Sequence, residues 1–103
     1  MAKVIEKDGV LTLKLSRLEK IGALHGDLSV ASNQLISKSE VPNPWKSQFL
    51  MGVRAPGTAI PYRILLGTMR FKGGKDFCAI YRRTPAVIYE FKDAPFKRWI
   101  VSL

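Results

Sequence analysis

The chain is poor in the residues from which staples, metal centres and nucleophilic active sites are made. It holds one cysteine, Cys78, and one histidine, His25. One cysteine excludes an internal disulfide and a cysteine-built zinc site. One histidine among eight dispersed acids gives no transition-metal ligand set, so neither a metal nor another cofactor is expected. No apolar run approaches the length that spans a bilayer. Lys3, Glu6, Lys7 and Asp8 bring charge in too early for a secretory leader, which predicts a cytoplasmic protein that is not an integral membrane protein.

Acids are scarce too. Seventeen Lys and Arg face eight Asp and Glu, for a net charge of +9. The excess is uneven: from Arg54 onward ten basic residues meet three acids, a net of +7, whereas residues 1–53 carry seven and five, a net of +2. A field of this sign concentrates anionic partners such as nucleic acid, phospholipid surfaces or acidic proteins, although charge also serves plain solubility.

What is present is a β pattern. A chain of 103 residues, 47% of them hydrophobic, makes one globular domain, residues 1–103. Leu11, Leu13 and Leu15 alternate with Thr12, Lys14 and Ser16, the period of a strand with one face on a core. Asp8-Gly9 is a hairpin signal that pairs this strand with Lys3–Lys7. Ser16-Arg17-Leu18-Glu19 is a capping box. Leu18, Ile21 and Leu24 or His25 follow at helical spacing, so one short helix is expected near residues 17–24, with Gly26 as a left-handed stop.

Strands are expected at Asp27–Val30 and Ile36–Val41, around the polar corner Ser32-Asn33-Gln34. Pro42 to Pro61 carries four of the six prolines and reads as a long loop, with room for one helical turn at Trp45–Met51. Ile64–Phe71, Phe77–Arg82, Ala86–Phe91 and Phe96–Leu103 read as strands, separated by Lys72-Gly73-Gly74-Lys75, Arg83-Thr84-Pro85 and Asp93-Ala94-Pro95. Short strands with turns and little helix predict a mainly β fold, an antiparallel sandwich or a partly open barrel.

Gly52-Val53-Arg54-Ala55-Pro56-Gly57-Thr58-Ala59-Ile60-Pro61, then Leu66-Gly67-Thr68, Gly73-Gly74-Lys75-Asp76-Phe77 and Arg83-Thr84-Pro85-Ala86-Val87, resemble a family of small bacterial proteins similar to bacterial pleckstrin-homology-like domains. The resemblance implies a pleckstrin-homology-like sandwich and a self-assembling or scaffold-type role, and it carries no activity or catalytic residues. Such folds close the sandwich with a C-terminal helix, where this chain has its last predicted strand. The Ser16 helix or another subunit would then cover that end.

Catalysis is the least favoured class. His25 near Asp27 and Ser29 is no triad, because those three sit on neighbouring backbone, and it reads as a helix-end or surface histidine. Cys78 reads as a small buried hydrophobe. Asp76 and Glu90 can meet across a sheet, as can either of them with an Arg or Lys, so no acid–base pair is assigned. The first reading is therefore a non-catalytic binding or assembly module, for a protein partner or a second copy of itself. Trp45, Phe49, Met51 and Arg54 in the long loop are its candidate contacts, being residue types that anchor interfaces. The alternative is a nucleic-acid-binding small barrel. Its candidate anion contacts are Arg70, Lys72, Lys75, Arg82 and Arg83, interleaved with Phe71, Phe77 and Tyr81 for stacking. Lys72-Gly73-Gly74-Lys75 reads first as a turn and second as an anion nest.

Overall fold

A computed structural model describes residues 2–23, 25–46, 53–60, 63–71, 73–82 and 84–103, with backbone alone at 46, 53–57 and 59. Strands β1 (Lys3–Lys7), β2 (Val10–Lys14) and β3 (Leu28–Ala31) form a three-stranded antiparallel sheet in the order β1-β2-β3. Asp8 and Gly9 both take positive φ, 52° and 76°, in the two-residue turn that pairs Lys7 with Val10. Leu11 and Leu13 point inward with Leu28 and Val30, as the alternation requires.

Helix α1 (Arg17–Ala23) follows β2. Its capping box is made in full: the Ser16 N–H donates to Glu19 Oε1 at 2.8 Å and the Glu19 N–H donates to Ser16 Oγ at 3.2 Å. One expectation is corrected. Gly26 is not left-handed; the helix runs out at Ala23, and the His25 N–H bonds back to the Lys20 carbonyl at 3.1 Å. Of the positions at helical spacing, Leu18 and Ile21 turn to solvent while the His25 ring packs on Phe77 and Phe96. Glu19 and Ala23 are buried, while Leu18 and Ile21 are 80% and 64% exposed.

The second sheet has six strands: β4 (Leu35–Val41), β5 (Val53–Ile60), β6 (Ile64–Phe71), β7 (Gly74–Tyr81), β8 (Ala86–Phe91) and β9 (Arg98–Ser102), in the order β4-β8-β9-β7-β6-β5. A 3₁₀ turn at Ser32–Gln34 carries the chain from β3 to β4, from one sheet to the other. The expected long loop is thus shortened, because its second half is strand β5. That strand lies at the sheet edge and slips register between Arg54 and Gly57, where Pro56 sits. An edge accommodates a proline that a central ladder does not. Of the expected helical turn, Pro44–Lys46 forms a 3₁₀ turn and residues 47–51 lie outside the described ones.

The sheet is not wholly antiparallel. The chain skips one strand position between β7 and β8, and β9 returns into that gap, parallel to β7 and antiparallel to β8. Strand β9 is therefore central and covered on both faces. Trp99 and Val101 face the small sheet, meeting Leu11, Leu13, Leu15, Phe77, Phe91 and Phe96 in the main core. Ile100 faces the other way, into a second apolar cluster with Leu65, Met69, Cys78, Ile80, Ala86 and Ile88, against which Val41 and Trp45 pack. The fold is a two-sheet β-sandwich with one short helix.

Candidate binding surfaces

Helix α1 lies against β5 and β6, held where the Thr58 hydroxyl donates to the Gly22 carbonyl at 2.7 Å. Gly22 allows this approach, since a Cβ there would stand 3.2 Å from Leu66 Cδ1. Between them opens a cavity of about 380 Å³, lined by Ser16, Leu18, Glu19, Gly22, Thr58, Ile64, Leu66 and Tyr81. Its polar floor is fully engaged: the Tyr81 hydroxyl donates to Glu19 Oε2. Burial works to raise the Glu19 carboxyl, but the Ser16 N–H, the Tyr81 hydroxyl and the Ala2 N–H outweigh it and hold the group below its ordinary value. Burial pushes the Tyr81 phenol up, reinforced by the hydrogen bond to Glu19 and its charge. Of its lining, Leu18 is largely exposed; Ile21, three residues on along α1, is exposed too, as are Arg17 and Arg63, the sequence neighbours of Leu18 and Ile64.

The loop contacts expected from the sequence separate. Trp45 packs on the second apolar cluster, and its indole N–H donates to the Arg82 carbonyl, so it serves the fold. Arg54 lies on edge strand β5 opposite Met69, its side chain outside the described residues together with Phe49 and Met51. The helix α1 groove is not legible in the sequence, because helical spacing of Leu18 and Ile21 does not say which side of the helix meets the core.

The expected anion contacts separate too. Arg70 and Lys75 are direct cross-strand partners at the β6–β7 turn, a like-charge pair of a kind that destabilises a sheet, and Lys75 Nζ lies 4.7 Å from the centre of the Phe96 ring. Arg82 stands at the far end of the eight-residue β7, roughly 23 Å away. Lys72 and Arg83 lie outside the described residues. Lys97, not foreseen, lays its side chain on Gly74, where a Cβ would meet three of its carbons at 3.0 Å. The aromatics interleaved with these cations are used inside. Phe77 is fully buried, Tyr81 is tied to Glu19, and Phe71 lies 5.4 Å from the Arg98 guanidinium carbon.

Asp76 and Glu90 are neighbours, with Arg98 of β9 between them. Arg98 forks onto Asp76, Nε to Oδ1 at 3.1 Å and Nη2 to Oδ2 at 2.7 Å, and Asp76 is wholly buried. Burial pushes the Asp76 carboxyl above its ordinary value despite the Arg98 hydrogen bond and charge. A cavity of about 700 Å³ opens beside Arg98, lined by charges of both signs that include Glu90, Lys92, Asp93 and Lys97. Cys78 is fully buried, and burial pushes its thiol up, which suits an inert residue. His25 is half-buried, its ring 5.5 Å from Phe77 and 5.6 Å from Phe96, and its Nδ1 is 2.8 Å from the Gly26 carbonyl. Among the described residues no group of three His, Cys, Asp or Glu side chains is placed to hold a metal ion.

The outward face of the small sheet forms another surface. Register puts Lys3 opposite Lys14, Ile5 beside Thr12 and Ser29, and Lys7 beside Val10 and Ala31. The Thr12 and Ser29 hydroxyls stand 3.3 Å apart, as neighbours on one face. Among the described residues no helix is long and apolar enough to cross a membrane. No family model, curated protein or solved structure matches the chain.

Proposed function

We propose that this domain is a non-catalytic binding module that takes a segment of a protein partner in the groove between α1 and the β5–β6 edge. The observation that carries the reading is that Leu18, 80% exposed, lines an apolar cavity of about 380 Å³, with Ile21, 64% exposed, three residues on along the same helix. An exposed apolar pair beside an open groove is costly unless something covers it. Exposed Arg17 and Arg63, next in sequence to the lining residues Leu18 and Ile64, favour an occupant whose apolar anchors are flanked by acids, and a net charge of +9 opposes a second copy of the same chain. Of the roles the resemblance to bacterial pleckstrin-homology-like proteins implies, this reading takes the scaffold-type one.

The test is selection from a displayed random-peptide library. Enriched sequences are expected to pair apolar residues with Asp or Glu, and Leu18→Ser/Ile21→Ser should weaken them by at least about tenfold, the loss of one buried aliphatic contact. Peptides that ignore this variant, or no enrichment at all, would refute the groove. A second reading, nucleic-acid binding through the C-terminal basic half, rests on the Arg70–Lys75 pair, which a phosphate would relieve.

A further inference from the structure

We propose that the outward face of the β1–β2–β3 sheet docks on an anionic phospholipid surface. The argument starts from parity. Because side chains alternate along each strand, the register assigns eight residues to this face: Lys3, Ile5 and Lys7 from β1, Val10, Thr12 and Lys14 from β2, and Ser29 and Ala31 from β3. Three are lysines and none is acidic.

The acids of the same half of the chain go elsewhere. Glu6 is opposite Leu11 on the other parity, Asp8 is in the turn, Glu19 is a buried residue of α1, Asp27 accepts the Leu15 N–H at 2.7 Å and pairs with Lys20 at 3.8 Å, and Glu40 lies in the other sheet opposite Val87. A segment whose sequence is nearly neutral therefore presents a uniformly cationic face. Lys3 and Lys14 stand directly opposite each other, an arrangement that an external anion stabilises.

The centre of the face selects the kind of anion. The middle row holds Ile5 beside Thr12 and Ser29, and the turn-end row holds Val10 beside Lys7; Ile5 and Val10 are each 42% exposed. The only hydroxyls on the face, those of Thr12 and Ser29, lie within reach of each other. The eight positions hold no arginine fork and no aromatic ring, the groups that read nucleic-acid phosphates and stack on bases. With lysines at both ends and two exposed aliphatic side chains among them, the surface matches a headgroup layer, where ammonium groups meet anionic lipid and methyl groups enter the acyl boundary. The site is independent of the α1 groove.

The test is co-sedimentation of the full chain with vesicles of phosphatidylcholine and phosphatidylserine in equal parts. Binding is expected there at low salt, and not on pure phosphatidylcholine or at high salt. Each lysine at an anionic leaflet is worth about fivefold, so Lys3→Gln/Lys7→Gln/Lys14→Gln should lower the partition on the order of a hundredfold. Ile5→Ser/Val10→Ser should lower it several-fold at constant charge. Lys38→Gln/Lys92→Gln/Lys97→Gln removes the same charge elsewhere and should leave most of the binding intact. The inference is overturned if this control loses as much as the lysine-face variant. It is equally overturned if an oligonucleotide, rather than the vesicles, binds in dependence on Lys3, Lys7 and Lys14. Thermal unfolding of each variant confirms that the fold persists.

Discussion

Replacing Arg98 with methionine removes one partner of a buried ion pair and leaves the other in place. Asp76 is wholly buried, its two oxygens 3.1 and 2.7 Å from Arg98 nitrogens. Removing the cation from such a pair costs about 3–5 kcal/mol, because an uncompensated carboxylate stays in the interior. Against a total stability of about 5–15 kcal/mol, that is a large share. At roughly 4–8 °C per kcal/mol for a domain of this size, the melting temperature falls by at least about 12 °C.

The pH dependence makes the prediction specific. Burial raises the Asp76 carboxyl in the native protein even with Arg98 present, and without Arg98 it rises further. A group whose folded value is raised contributes its stability below its unfolded value and loses it as pH rises through the folded one. The Arg98→Met penalty should therefore be greatest at neutral pH and shrink on acidification toward the ordinary aspartate range, where the buried group is neutral. Urea unfolding at neutral and mildly acidic pH, followed by the fluorescence of Trp99, measures both. The double variant Asp76→Asn/Arg98→Met, which buries no charge, should recover part of the loss. A penalty below about 1 kcal/mol at neutral pH, or one that does not change with pH, would refute the reasoning.

Glu19 tests the opposite sign. Its carboxyl is held below the ordinary value, so its contribution is present above about pH 4.5 and is lost as pH falls through the depressed value. Glu19→Gln should cost about 1–3 kcal/mol at neutral pH and flatten the acid limb of a melting-temperature profile; parallel profiles for the two proteins would count against this. Cys78, fully buried with its thiol pushed up, should react with a disulfide reagent only as fast as the protein opens, and rapid labelling under native conditions would contradict its placement.

Local chemistry made much of the fold legible. The Asp8-Gly9 turn, the Ser16–Glu19 capping box and the alternation of Leu11 and Leu13 each depend on neighbours in sequence, and each is present. The departures depend on partners far away. Strand β5 was hidden because Pro56 and Gly57 read as loop, whereas an edge strand with a bulge admits both. The last strand gave no clear alternation because Trp99, Ile100 and Val101 are buried from both sides, which only its insertion between β7 and β8 explains.

The binding surfaces were less legible, and charge shows why. Counting residues put the positive excess in the C-terminal half, but a count along the chain ignores which side of a sheet each residue takes. In that half Arg98 is neutralised by Asp76, and Arg70 and Arg82 are set roughly 23 Å apart by the length of β7. In the N-terminal half the same rule of alternation works the other way. It gathers Lys3, Lys7 and Lys14 on one face and sends Glu6 to the opposite parity. The signal for that face was in the sequence, since the Asp8-Gly9 turn fixes the register of β1 on β2, and register decides parity. A cationic surface on a β protein is thus read from its hairpin turns before it is read from its net charge.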